Sequence, residues 1–434
     1  MNTKLFFILL ASPMAAFAQE KVETISKAQV LERVLSENNS LKIAQQTIEM
    51  AQGSFNQTNA VFMPNITASH TGIRTTNPLM AFGSKLNQEI LTQNDFNPNL
   101  LNNPARTDNY STKIEVVQPL LNIDGMYQRK AAKSALNATK LQSQRTKEYL
   151  ILEVENAYMQ LQLAYKTADV LRTAKKAVLE NKRIAQDNFT QGYLQKPDLL
   201  AIDVRATEVE NQLQYALSAI KNASNYISIL TNDTSFTLLQ PADSLSLVTT
   251  EMAISALPES RADIQALDYA TKAFEATHKA NNMSFLPRLN AFGSYELYDD
   301  EVFQTGANGY LVGAQLSWSV LEGTKRIGKS KTSKAALEKS KIEYQDYIAQ
   351  SQLELNKATR MLQDAKNNVS LTELALQQSK ESLRIRLNRF KEGLEKTSDV
   401  LIAETQYAQK QLEYYQTLYA LNYAKAYVTF LSKA

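Results

Sequence analysis

The chain has 434 residues, with 47 basic and 44 acidic side chains, 12 glycines, 10 prolines and no cysteine. A balance this close to neutral speaks against a nucleic-acid binder, which needs a basic surplus on one face. The missing cysteine removes disulfides, thiolate metal sites, cysteine redox chemistry and a cysteine-linked lipid anchor. So few glycines and prolines fit long uninterrupted helices and not an all-β protein.

Residues 1–18 read as an export signal. Met1 to Lys4 is a short basic start, Leu5 to Leu10 an apolar core, and Ala16-Phe17-Ala18 a small-x-small cleavage site that puts the mature start near Gln19. The expected site of action is therefore outside the cytoplasm. No later stretch supplies 18 consecutive apolar residues, so no spanning helix is expected. Membrane-crossing β-strands leave a weaker trace and stay open.

The rest divides into a first repeat (19–230), a linking segment (231–258) and a second repeat (259–434). Each repeat reads as helix, strand, loop, strand, long helix, tight turn, long helix. The first helical stretch covers about Lys27 to Val61, broken near Asn38-Asn39-Ser40, and stops at Phe62-Met63-Pro64. Its counterpart covers about Ser260 to Asn282 and stops at Phe285-Leu286-Pro287. Proline ends a helix and drives the residue before it toward extended geometry.

Strand hairpins are expected over 65–118 and 288–320. In the second, Tyr310, Val312, Ala314, Leu316 and Trp318 alternate with Gly313, Gln315 and Ser317, and Leu289, Ala291, Gly293, Tyr295 and Leu297 with more polar neighbours, Phe292 excepted. In the first, Tyr110, Thr112, Ile114 and Val116 alternate with Ser111, Lys113 and Glu115. Period-two alternation means one apolar and one polar face. A surface hairpin packed on a helix satisfies it as well as a barrel wall does. The first hairpin is longer by about 25 residues rich in Asn-Pro steps (Asn77-Pro78, Asn97-Pro98), which read as an exposed loop beyond the strands.

Long helical hairpins follow, over 126–230 and 326–431. Leu150, Val154, Ala157, Leu161, Ala164, Ala168, Leu171, Val178, Ala185 and Phe189 keep one strict 3-4 spacing, with Lys175 and Lys182 filling two positions of that register. Shifted by 201 positions, Leu355, Ala358, Leu362, Ala365, Val369, Leu376, Leu383 and Phe390 hold the same register. A sustained 3.5-residue period makes helices that coil around their neighbours. No proline or glycine interrupts Met126 to Phe189, a stretch of roughly 95 Å at about 1.5 Å per residue.

The two helical turns repeat each other. Phe189 and Gly192 precede Asp198 and Leu200 as Phe390 and Gly393 precede Asp399 and Leu401. The glycines allow the positive φ of a helix end. The aspartates suit the positive end of the next helix.

Gly323-Thr324-Lys325-Arg326-Ile327-Gly328-Lys329-Ser330 matches the phosphate-binding pattern G-x-x-x-x-G-K-S between a strand and a helix. The preceding strand alternates, however, whereas a phosphate-loop strand is buried on both faces. The equivalent of this segment in the first repeat, Asp124 to Lys130, lacks the pattern. The two histidines, His70 and His278, lie far apart and in no ligand-like cluster. No nucleophile–base set stands out, so neither an enzyme, a metal site nor a cofactor is expected.

Taken together, the paired Phe-x-x-Gly-(x5)-Asp-x-Leu turns, the Met63-Pro64 and Leu286-Pro287 switches, and Gly125 and Gly323 at the returns from strand to helix resemble the TolC-like outer-membrane efflux protein family over nearly the whole mature chain. The resemblance implies a fold that is mainly α with a β-barrel part. Duplicated long coiled-coil hairpins would form an α-barrel across the periplasm. Four strands per chain would contribute to a trimeric 12-stranded β-barrel in the outer membrane, with outer-membrane lipid around it. It implies no nucleic-acid partner; the partners would be a periplasmic adaptor and an inner-membrane transporter. The Phe-x-x-Gly turns would be periplasmic tips, narrowed at Asp399 with Asp198 as a second candidate. Ile402 stands where the family's second acid is found. Arg389, Lys391, Glu395 and Lys396 would supply ion pairs that hold the entrance closed. A duct for type I protein secretion, or a periplasmic coiled-coil scaffold whose hairpins pack internally, are the alternatives.

Overall fold

The computed structural model describes residues 22–247 and 256–433. The export signal expected at residues 1–18 lies outside them. By contacts the chain forms two units. One gathers the described residues of Met1–Lys42, Thr146–Pro258 and Gln352–Lys433; the other gathers Ile43–Arg145 and Glu259–Ser351.

The second of these units holds the sheet. Strands β2 (Asn65–Thr75), β3 (Thr107–Leu121), β5 (Arg288–Asp299) and β6 (Ala307–Ser317) run antiparallel in the order β2-β3-β5-β6. The two hairpins are thus joined edge to edge through β3 and β5. Register puts Ile66, Val116, Gly293 and Val312 in one cross-strand row, and Ala68, Ile114, Tyr295 and Tyr310 in the next. Residues directly opposite share a face, so these rows make one continuous apolar surface. The described residues do not cover it: Tyr310 is 82% and Val312 75% exposed. On the opposite face Lys113 lies 3.5 Å from both Glu115 and Glu296.

The stretch expected as a bare loop between β2 and β3 is instead partly helical, with α3 (Pro78–Asn87) and α4 (Pro98–Asn102). Asn77 and Asn97 cap these helices and the prolines take the first helical position. There a missing N–H costs nothing and φ is already suitable. The same Asn-Pro pairs that read as turns are helix starts. Gln88 then ties the end of α3 to the strands, donating to Asp108 O at 2.9 Å and Asp299 O at 3.1 Å.

A buried charged network also sits in this unit. Arg261, 1% exposed, donates from Nε to Asp263 at 2.7 Å, at the start of α7 (Ala262–Met283), and Arg145 lies 3.2 Å from the same carboxylate. Burial alone would raise the Asp263 carboxyl, but Arg261, the Tyr347 hydroxyl and Arg145 together hold it below its ordinary range.

The first-named unit is built on the heptad seam. It includes β1 (Val22–Ile25), α1 (Lys27–Glu37) and α6 (Lys196–Leu230), the C-terminal part of α5 (Ile123–Thr190), and β4 (Leu238–Pro241). β1 pairs in parallel with β4. One core joins Ile25, Val30 and Val34 to Leu150, Val154, Ala157, Leu161, Ile227 and Leu230. The linking segment is thereby pinned to the helices: Tyr165 Oη donates to Leu239 O at 2.9 Å, and Leu239 N donates to Ser224 Oγ at 3.1 Å. The helix break at Asn38 has a clear cause. Its side chain donates to Leu230 O at 2.8 Å and accepts from Ser40 N at 2.8 Å, capping α2 (Asn39–Gln57).

The second hairpin supplies the C-terminal part of α8 (Lys325–Lys391) and all of α9 (Thr397–Ser432). Its core joins Leu355, Ala358, Leu362, Ala365 and Val369 to Leu418, Leu421, Ala424, Val428 and Leu431. On α9, Tyr419, Tyr423 and Tyr427 stack at four-residue spacing, with centroids 6.3 and 5.9 Å apart. No helix among the described residues is long and apolar enough to cross a membrane.

Candidate channel tips

Both helical turns close in the same way. Gly192 donates to Phe189 O at 3.0 Å and Tyr193 to Asn188 O at 2.9 Å; Gly393 donates to Phe390 O at 3.0 Å and Leu394 to Arg389 O at 2.9 Å. These are the paired bonds of a glycine-terminated helix. Gly192 and Gly393 take φ of +81° and +73°, the left-handed region where a Cβ would cost about 1–2 kcal/mol. Phe189 and Phe390 are half-buried at the preceding helix ends.

Asp198 and Asp399 fall in the first turns of α6 and α9, half-buried. The helix caps themselves are Gln195 and Lys396, neither with a side-chain capping bond. The two carboxylates therefore act on the helix dipole and not as caps. Ile402 is 55% exposed, one turn beyond Asp399.

Of the four residues expected to form gate pairs, two meet. Glu395 lies 2.8 Å from Arg389 and also 2.6 Å from Arg386, with its own side chain only 12% exposed. Arg386 was not singled out from the sequence; its place one helical turn before Arg389 is the signal that could have found it. Lys391 and Lys396 are exposed and lie outside this clamp. The clamp closes within one turn of one chain, so it fixes the shape of that tip.

The equivalent positions in the first turn are Ala185, Asn188 and Leu194. Ala185 is fully buried with Val178, Ile202 and Val209, and Leu194 packs against that cluster. At these three positions the second tip carries charge and the first apolar or neutral side chains.

Behind the tips the hairpins differ again. In the first, Lys182 lies 2.6 Å from Asp203, and Lys175 pairs with Glu210. The Lys175 ammonium is the main cause that holds the Glu210 carboxyl below its ordinary value. The matching positions of the second hairpin are Leu383 with Glu404, and Leu376 with Gln411.

The segment resembling a phosphate loop does not form one. α8 begins at Lys325, and Gly328 N already donates to Thr324 O at 2.9 Å, so Gly328, Lys329 and Ser330 are helical. A phosphate loop needs those backbone N–H groups free before its helix starts. His70 bonds Thr112 and His278 bonds Ser333, each at 2.9 Å.

Residues 253–431 match the family model for outer membrane efflux proteins. No curated protein matches the sequence. Solved structures match the fold over nearly the whole chain. The Campylobacter jejuni outer membrane channel CmeC, at 17% identity, covers 99% of this chain and 93% of its own, with a TM-score of 0.81. The Vibrio cholerae outer membrane protein VceC, also at 17% identity, covers 94% and 96% with a TM-score of 0.79. The open-state Neisseria gonorrhoeae outer membrane channel MtrE, at 17% identity, covers 94% and 89% with a TM-score of 0.77.

Proposed function

We propose that this chain, a TolC-like channel protein in fold and an outer membrane efflux protein by sequence over its second half, is the outer-membrane exit duct of a tripartite efflux pump. It gives small molecules a passive path across the periplasm and the outer membrane. The observation that carries this reading is the bare apolar face of the four-stranded sheet. Tyr310, Val312 and Ile66 (65%) are all exposed on it, while the reverse face carries Lys113, Glu115 and Glu296. A face this apolar is stable against lipid and the polar face against water.

Four strands cannot close a barrel, and β2 and β6 each leave an edge unpaired within the described chain. Open edges are not tolerated in hydrocarbon. Three copies would close twelve strands with every edge paired, which makes a homotrimer the fitting assembly. In such a trimer the tips meet around one axis. Asp399 would then supply three carboxylates to a constriction that favours cations, with Asp198 as the second candidate. A periplasmic adaptor and an inner-membrane transporter would supply the energy and select the cargo.

Single-channel conductance of the purified protein in planar bilayers tests this. Cation-selective steps are expected, with conductance and selectivity both altered in the Asp198→Ala/Asp399→Ala double variant. Unaltered steps would move the constriction away from these carboxylates. The absence of steps from folded protein would sink the duct.

A further inference from the structure

The second hairpin carries a buried acid without the partner its repeat-mate has. Asp203 in the first hairpin faces Lys182, but Glu404, its equivalent, faces a position occupied by Leu383. Glu404 is 7% exposed. Asn181 Nδ2, from α5, donates to its Oε1. Its Oε2 is buried with no hydrogen-bond partner among the described residues, and so is Arg205 Nε, from α6. Both side chains line one cavity of about 80 Å³, walled by Val170, Ala174, Val178, Leu383 and Ala408.

Four helices surround Glu404. α5 brings neutral Asn181 and Thr173. α6 brings Arg205, whose Nη1 is turned to Glu208 at 3.2 Å. α8 brings Leu383, and α9 brings Tyr407 and Gln411. No group in this set closes an ion pair on the carboxyl. A carboxylate buried among apolar walls with one oxygen unpaired is costly, whereas the neutral acid is tolerated.

We propose that Glu404 is a proton-binding site that latches α9 onto α5 and α6 behind the tips: protonated, the carboxyl stays in the cavity; ionised, it is driven toward water and the hairpins part. Burial is the main cause that pushes its carboxyl up from 4.5 to about 7, and Asn181 and then Arg205 only partly oppose this. The folded value lies above the unfolded one. The packing is therefore fully supported below pH 4.5 and loses that support as pH rises through about 7. The consequence for opening rests on the duct reading; the proton site itself does not.

The test uses the full chain. Infrared difference spectra between acidic and basic pH should show a protonated carboxylic acid band that is lost with a midpoint near neutrality, and Glu404→Gln should lack it. Amide hydrogen exchange across residues 400–411, corrected for its intrinsic pH dependence, should quicken by about tenfold or more over the same window. In Glu404→Gln, a neutral isostere, it should stay slow throughout. Leu383→Lys, which restores the partner present in the first hairpin, should move the band and the exchange step to lower pH. A step kept at the same midpoint in Glu404→Gln, or no protonated band in the wild type, overturns the latch. Failure of the duct reading would show separately, as absent conductance steps with the infrared titration intact.

Discussion

The two tips share a backbone and differ in what holds them. Their turns close with the same two hydrogen bonds and the same left-handed glycine. Around that frame, the first tip buries Ala185 and packs Leu194 on it, whereas the second threads Glu395 between Arg386 and Arg389. Behind the tips the assignment reverses. The first hairpin carries the ion pairs Lys182–Asp203 and Lys175–Glu210, and the second has Leu383 and Leu376 in place of those lysines. Duplication has preserved geometry and redistributed charge. Apolar burial responds little to salt or pH, whereas exposed charge responds to both. Glu404, a buried acid behind the second tip, is the exception to that apolar level, so the two repeats differ in where charge sits and in the direction in which pH acts on it.

The strongest way to break this comparison is to charge the apolar tip. Ala185→Glu places a carboxylate at a site with no solvent exposure. It should destabilise the first hairpin locally by about 3 kcal/mol. Hydrogen exchange across residues 178–209 should quicken most, while the second turn, which touches that cluster through Leu401, should change much less. Equal quickening at both tips would mean that the two are one cooperative unit and that the contrast has no energetic content.

Much of the frame was legible in the sequence, because it depends on periodicity and on glycine. The seam residues Val154, Ala157, Leu161, Ala168, Val178 and Ala185 are all essentially buried, and both turn glycines take the positive φ that only glycine adopts easily. The strand alternation likewise gives one apolar face. The pairings that escaped depend on which side chains meet across a distance in sequence. Arg386 joins Glu395 nine residues on, Asn181 reaches Glu404 at a separation of 223, and Arg261 finds Ser351 at a separation of 90. No local pattern marks such pairs. The Asn-Pro steps at 77 and 97 misled because one dipeptide serves both a turn and a helix start, and the residues beyond the proline decide between them. The 201-residue offset was the strongest signal, and its mismatches carried information as well: Leu383 opposite Lys182 is where the unpartnered acid lies.

The charged tip should yield to a gentler change. Glu395→Gln removes the shared partner of Arg386 and Arg389. With the side chain largely shielded, the loss should be about 1 kcal/mol. Raising salt should quicken amide exchange over residues 386–396 in the wild type and have no further effect in the variant. Residues 188–195 should respond less in both proteins, because the nearest ion pairs, Arg183 with Glu180 and Asp187, lie before that turn. A salt response that survives in Glu395→Gln would assign the second tip's stability to something other than the clamp.

The smallest effect is the one that separates the two hairpins by sign. Glu210 has a carboxyl held below its ordinary 4.5, first by the hydrogen bond from Lys175. A lowered folded value means that its contribution is present above pH 4.5 and fades as pH falls below it. Glu404 behaves in the opposite sense: its packing is supported in acid and weakened as pH rises through about 7. Acid should therefore weaken the Lys175–Glu210 contact within the first hairpin slightly while tightening α9 onto α5 and α6 at Glu404. Lys175→Leu copies the residue of the second hairpin into the first and should remove the acid-side loosening of residues 206–214, read by exchange at a series of pH values. The pair is exposed, so the change will be modest, and its direction is the informative part. If residues 206–214 of the wild type instead tightened in acid, the opposition between the two carboxylates would fail, and a shared cause elsewhere in the unit would have to replace them.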